Sequence, residues 1–203
     1  GGSNSFIVLE DADLDLAVNT AVQARMMNSG QSCIAAKRFM VIDSVYDEFV
    51  SRFIEKASQL KVGDPLLEDT QIGTLARKDL ADQLQKQVQD SIQQGAKLLL
   101  GGKQKKCFHE PTVLGEVTPQ MSAFKEETFG PLAVMIKVKS ADEAFALAEQ
   151  SKFGLGLSVF TTHIDKALNY ADKVSDGAFF INELVKSDPR LPFGGTKTSG
   201  FGR

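Results

Sequence analysis

Apolar runs of strand length alternate with amphipathic stretches of helix length along the whole chain, and no other feature restricts its fold as tightly. The runs are 6–9, 38–42, 97–100, 132–138, 157–161 and 178–181, with a shorter candidate at 112–114. Each is apolar almost throughout rather than at every second residue, the pattern of strands buried on both faces. Between them, Val45, Phe49, Phe53, Ala57 and Leu60 fall on one helical face. Leu80, Leu84, Val88 and Ile92 do the same, as do Ile164, Ala167, Leu168, Ala171 and Val174. Strand–helix alternation implies crossover connections and a largely parallel sheet covered on both sides. The expected fold is therefore α/β, a three-layer sandwich in one domain spanning 1–203.

Local signals support the helix ends. Ser44-x-x-Asp47 and Ser140-x-x-Glu143 each place a hydroxyl before a first turn and a carboxylate inside it. Gly95 stands where a left-handed residue closes a helix. The stretch 61–74, with Gly63, Asp64, Pro65 and Gly73, reads as a loop.

Composition narrows the function classes. A chain of 203 residues with 42% apolar residues can bury a sizeable core. Lys and Arg number 23 against 26 Asp and Glu, a net charge of −3 that offers no nucleic-acid footprint. No apolar run approaches the roughly 20 residues of a membrane helix, and no signal-peptide pattern opens the sequence. Cys33 and Cys107 are too few for a disulfide framework and point to a reducing compartment, the cytoplasm. The sequence enters the apolar run at Phe6 directly after Gly1-Gly2 and closes on Gly200-Phe201-Gly202-Arg203. We read it as a segment of a longer polypeptide.

Several tempting motifs fail on their spacing. Gly154-Leu155-Gly156 lacks the third glycine of a dinucleotide turn, and Phe201 stands where a phosphate loop after Gly195 requires lysine. Cys33, Cys107, His109 and His163 are too scattered for a zinc site, so no metal is expected. His109 in a polar loop and His163 beside a helix start read as solvated. Cys107, in a charged loop, reads as incidental.

Cys33 is different. Asn28-Ser29-Gly30-Gln31-Ser32-Cys33 places a lone thiol after a helix, behind small polar residues and a glycine-containing turn. Such a turn offers backbone N–H groups that are not committed to a ladder and can stabilise an anion, a setting for a reactive cysteine. The alternative is a small buried hydrophobe.

These residues resemble the nucleophile loop of the NAD(P)-dependent aldehyde dehydrogenase superfamily. Three more stretches fit in the same order: Gly1-Gly2 leading to Asp11-Ala12-Asp13-Leu14, then Lys125-Glu126-Glu127-Thr128-Phe129-Gly130-Pro131, then Pro192-Phe193-Gly194-Gly195-Thr196-Lys197-Thr198-Ser199-Gly200. The resemblance implies that Cys33 is the catalytic nucleophile, Glu127 the acid that hydrogen-bonds the nicotinamide ribose, and Phe129 the ring beside the nicotinamide. It implies Phe193 at the substrate tunnel; Ser187, at a fitting distance from Pro192, is a second candidate for the substrate end. It implies NAD or NADP as cofactor and a thiohemiacetal followed by a thioester on Cys33. It also makes this segment the catalytic domain, partnered by a nucleotide-binding domain outside it, in a homodimer or homotetramer. The family's water-activating glutamate falls two residues before Gly1, so the 203 residues alone are expected to be inactive.

The opening Ser3-Asn4-Ser5-Phe6-Ile7-Val8-Leu9 and the run Ala36-Lys37-Arg38-Phe39 most resemble bacterial succinate-semialdehyde dehydrogenases, which makes succinate semialdehyde the expected substrate. Some members carry a carboxylate-binding arginine six residues before the nucleophile; here that position is Met27. Where redox-regulated relatives have a second cysteine, this chain has Ala35. Two alternatives stand beside this reading. One is an acylating enzyme in which coenzyme A or phosphate takes the acyl group; the other is a non-catalytic interaction module that keeps the fold.

Overall fold

The computed structural model describes residues 1–202; Arg203, the last residue of the closing glycine-rich motif, lies outside them. From the amino end come β1 (Asn4–Val8), α1 (Leu14–Met26), a 3-10 turn (Met27–Gly30), β2 (Ala36–Ile42), α2 (Asp43–Ser58) and α3 (Lys78–Gln93). There follow β3 (Lys97–Leu100), β4 (Gln104–Lys105), β5 (Phe108–His109), β6 (Thr112–Gly115), α4 (Ser122–Lys125) and β7 (Leu132–Val138). The last third holds α5 (Ala141–Glu149), β8 (Phe153–Gly154), β9 (Leu157–Phe160), α6 (Ile164–Ala171), β10 (Phe179–Ile181) and β11 (Thr196–Lys197).

Seven strands form one sheet in the order β10-β9-β1-β2-β7-β6-β3. Every neighbouring pair is parallel except β3 with β6. Alternate residues of each central strand feed opposite cores, which is why the strands read as continuous apolar runs. Phe6, Val8, Phe39, Val41, Ala133 and Met135 pack with α1 and α2 on one face. Ile7, Met40, Ile42, Val134, Ile136 and Val159 pack with α3 and α5 on the other. The three-layer α/β sandwich expected from the pattern is the observed fold. No helix among the described residues is long and apolar enough to cross a membrane.

Three local expectations are corrected. β3 is not buried on both faces: it is the antiparallel edge, and Leu98 and Leu99 are exposed. Ser44 does not cap α2, because the helix already starts at Asp43 behind Ile42 and has no side-chain cap. His109 is not solvated; the β4–β5 hairpin folds back on α3 and buries it, with Nδ1 at 2.9 Å from the Glu110 carbonyl. Burial pushes its pKa down, keeping the ring neutral. His163 is exposed as expected, held by the Asp11 carboxylate at 2.6 Å. Ser140 does cap α5, accepting from the Glu143 N–H at 3.2 Å. Gly95 follows α3 with φ +108.

Candidate active site

Four chain entries into neighbouring parallel strands lie together at one edge of the sheet. Gly1-Gly2 precede β1, Cys33 precedes β2, Glu127–Phe129 precede β7 and Leu155 precedes β9. Because β9, β1, β2 and β7 are parallel neighbours, these segments meet at the amino ends of the strands. Open α/β sheets generally bind ligands at the opposite, carboxyl edge. Here the residues with chemical potential gather at the amino edge.

Cys33 is exposed, at the second position of a four-residue turn closed by the Ala35 N–H donating to the Ser32 carbonyl at 3.2 Å. The chain reaches this turn through an unusual left-handed passage: Asn28, Ser29 and Gly30 have φ of 55, 54 and 72. Only glycine adopts that region without cost, so the two preceding residues need outside support. Asn28 Nδ2 donates to the Gln31 carbonyl at 2.9 Å, and Ser29 Oγ accepts the Gly73 N–H at 3.0 Å. Gln31 Oε1 accepts the Ala76 N–H at 2.8 Å. The loop after α2 thus clasps the thiol-bearing turn. Gly30 lies against the loop of Glu127: a Cβ there would stand 2.2 Å from the Gly130 carbonyl oxygen.

Glu127 is half-buried and connects to the same turn through the amino end of the chain. Its Oε1 accepts the Gly2 N–H at 2.8 Å, and the Gln87 side chain holds its backbone carbonyl at 3.2 Å. Gly2 in turn packs on the thiol loop, since a Cβ there would be 2.3 Å from the Cys33 carbonyl oxygen. Glu127 and Phe129 line one cleft of about 660 Å³ with Gln87, Lys152 and Phe153. The closing motif reaches this neighbourhood: β11 pairs antiparallel with β8, and Ser199 Oγ accepts the Gly154 N–H at 3.0 Å.

Beneath the thiol loop lie two cations whose burial the sequence did not reveal. Lys37 is 1% exposed, its Nζ 3.9 Å from Glu127 Oε1. Arg25 is fully buried and donates to the Gly30 carbonyl, with Nε and Nη1 unpartnered among the described residues. Burial pushes Lys37 down to about 7, helped by Arg25 and opposed by the charges of Glu127 and Cys33. The available signal was the Lys37-Arg38 pair heading an otherwise apolar strand, since charges there must find partners. Arg38 finds carbonyls: its Nε and Nη2 donate to Ser3 at 3.1 and 2.9 Å, and it reaches Leu147 and Ala148 at the end of α5.

The remaining candidates stand elsewhere. Phe193 lines a separate hollow of about 520 Å³ with Phe179, Phe180, Leu191 and Pro192. Ser187 is exposed and is not among the residues lining either hollow. Cys107 is half-buried, with its carbonyl accepting the Leu75 N–H at 2.8 Å.

Fold and site together define an α/β sandwich domain that presents an exposed thiol beside a half-buried carboxylate at the amino ends of its strands. The chain matches the aldehyde dehydrogenase family over residues 1–203 and belongs to it. It is 48% identical to an NAD(P)+ succinate semialdehyde dehydrogenase of Escherichia coli, over 100% of this chain and 45% of that protein. The solved succinate-semialdehyde dehydrogenase of Burkholderia pseudomallei superposes with a TM-score of 0.96 at 38% identity, over 100% of this chain and 43% of that one. An NADP-dependent glyceraldehyde-3-phosphate dehydrogenase from Bacillus halodurans, solved with NADP, gives 0.96 at 40% identity, over 100% and 42%. The chain spans less than half the length of these relatives.

Proposed function

We propose that this chain is the thiol-bearing catalytic domain of a longer polypeptide that oxidises an aldehyde, succinate semialdehyde, to the carboxylic acid with NAD or NADP. The observation that carries the reading is Gly2, which joins the Cys33 turn to the Glu127 carboxylate, so that a single residue separates the nucleophile's loop from the cofactor carboxylate. The names of the relatives support substrate and cofactor alike.

The residues present suit a nicotinamide ribose. Gly1 leaves a cradle beside Glu127 that a side chain would fill, since a Cβ there would be 2.3 Å from Oε2. A carboxylate has about four acceptor sites, and the Gly2 N–H uses one of them. Glu127 would hold the ribose hydroxyls, and Phe129 would cover the nicotinamide and exclude water. The nicotinamide, when bound, supplies the two-electron acceptor.

Cys33 does the covalent work. Its sulfur attacks the carbonyl carbon, forming a C–S bond as the carbonyl electron pair moves to oxygen, and the Cys33 N–H stabilises that oxyanion. After oxidation the acyl group rests on Cys33 as a thioester. Water then adds to it, the C–S bond breaks and the thiolate is regenerated. The family resemblance assigns activation of that water to a glutamate two residues ahead of Gly1. Phe193 and Ser187 belong, in this reading, to the substrate end. Its setting is a cytoplasmic homodimer or homotetramer completed by its own nucleotide-binding domain.

The test is a panel of aldehydes offered to the full polypeptide with each nicotinamide cofactor, following cofactor reduction. Succinate semialdehyde should give the highest kcat/KM without added coenzyme A or phosphate. Oxidation of no aldehyde, or only in the presence of coenzyme A or phosphate, overturns the proposal.

A further inference from the structure

A buried ammonium must find acceptors, and Lys37 finds all of its carbonyl acceptors in one turn. Its Nζ donates to the carbonyls of Ser32 at 3.1 Å, Ala35 at 3.2 Å and Cys33 at 3.5 Å. An ammonium has three N–H donors, and three carbonyls of a single turn receive them. That turn carries the exposed thiol, while Lys37 itself is sealed in the interior at 1% exposure.

The peptide plane turns this into a statement about direction. The described chain has no cis peptide bonds, and in a planar trans peptide the C=O and the following N–H point in opposite directions. The Ser32 carbonyl is drawn inward to Lys37, so the Cys33 N–H points outward, to the side on which the thiol is exposed. That N–H has no acceptor among the described residues. The Cys33 carbonyl is drawn toward the same ammonium, with Gly2 packed against it.

We infer that Lys37 is a positioning residue for the oxyanion step: by holding the Ser32 and Cys33 carbonyls inward it aims the Cys33 N–H at the oxygen of a tetrahedral adduct on Cys33. The inference rests on the reading of Cys33 as the nucleophile. The electrostatics agree with the geometry. Arg25 from α1 and Arg38 from β2 oppose the charge on Lys37, and Glu127 and Cys33 favour it. Burial weighs most against the ammonium, and the two groups that favour it belong to the loops it ties together.

The test compares two reactions of Cys33 in the full polypeptide, neither needing cofactor or aldehyde. With p-nitrophenyl acetate the thiolate adds to the ester carbonyl, an oxyanion forms, p-nitrophenolate leaves and the acetyl group stays on sulfur. With iodoacetamide the thiolate displaces iodide at a saturated carbon and no oxyanion forms. In Lys37→Met the ratio of acylation to alkylation rates should fall roughly tenfold or more, up to a ceiling of about 10²–10³, the loss when an oxyanion donor is removed outright. A role in folding alone would move both rates together. If Lys37→Met does not fold, as judged by circular dichroism, Lys37→Gln, which keeps two N–H donors, carries the same comparison. An unchanged ratio, or no acylation of Cys33 in the unsubstituted protein, overturns the inference. A polypeptide that acylates with the expected ratio change but oxidises no aldehyde would defeat the dehydrogenase reading and leave Lys37 in its role.

Discussion

The Glu127 carboxylate accepts a hydrogen bond from the backbone N–H of Gly2 at 2.8 Å, across 125 positions of sequence. The other side of that glycine lies against the Cys33 carbonyl, so one residue without a side chain spaces the carboxylate from the thiol loop. Four predictions follow from this arrangement and its surroundings, apart from the Lys37 comparison.

A methyl group at Gly2 would meet the Cys33 carbonyl oxygen at 2.3 Å, a backbone atom that cannot swing aside. Gly2→Ala should therefore displace the thiol turn. We expect aldehyde oxidation by the full polypeptide to fall at least tenfold, against a stability loss of about 1–3 kcal/mol typical of overpacking. Steady-state kinetics alongside a urea titration separates the two effects, and unchanged kcat/KM would contradict the spacing role.

Gly30 carries a different load. Its φ of +72 is costly for any residue with a Cβ, and that Cβ would stand 2.2 Å from the Gly130 carbonyl oxygen. Gly30→Ala should lose about 1–2 kcal/mol from the left-handed conformation and more from the collision. The urea midpoint should drop clearly below that of Gly95→Ala, whose nearest neighbour would be the flexible end of Met121 at 3.9 Å. Equal losses would show that the contact between the two loops is dispensable.

The two thiols should behave unequally. Cys33 is exposed on its turn, whereas Cys107 is half-buried. Brief treatment with iodoacetamide near neutral pH should label Cys33 first, as read by peptide mass spectrometry. Cys33→Ala should abolish aldehyde oxidation by the full polypeptide, and Cys107→Ala should leave it within about twofold. Preferential labelling of Cys107 would remove the basis for Cys33 as the reactive group.

Asp176 sets a pH dependence. Burial raises its carboxyl from 3.8 to about 6, with Arg38 opposing. The folded state therefore holds a proton that the unfolded state releases between about pH 4 and 6. Its contribution to stability is present below the unfolded value and is lost as pH rises through the folded one. Asp176→Asn should accordingly be more stable than the unsubstituted chain at pH 7 and nearly equal to it below pH 4. Urea midpoints at the two pH values check this; a constant difference would contradict it.

The apolar pattern carried a large share of the fold. Phe6, Ile7 and Val8 in succession fit a strand with cores on both sides, and the structure sends Ile7 to one core and its two neighbours to the other. Where pattern misled, a longer-range contact prevailed. The Lys97–Leu100 run is as apolar as its neighbours, yet it ends as an antiparallel edge because no strand follows outside it in the sheet. His109 sits among polar residues and is buried because a hairpin turns it under α3. For the candidate site, Cys33, Glu127 and Phe129 were drawn from the ordered motifs of the resemblance, while the burial of Lys37 and Arg25 was not legible, because each stands in an element that reads as ordinary.

By itself, then, the sequence determined which segments become the strands of the main sheet, that this sheet is largely parallel and doubly covered, and which thiol stands behind a glycine turn. Those properties follow from hydrophobic periodicity and turn chemistry, whose reach is a few residues. Only the tertiary structure decided that Gly2, Cys33, Lys37 and Glu127 meet at the amino edge of four neighbouring strands, and which way the peptides of the thiol loop face. Those relations depend on strand order and on hydrogen bonds spanning up to 125 positions, which no local pattern encodes.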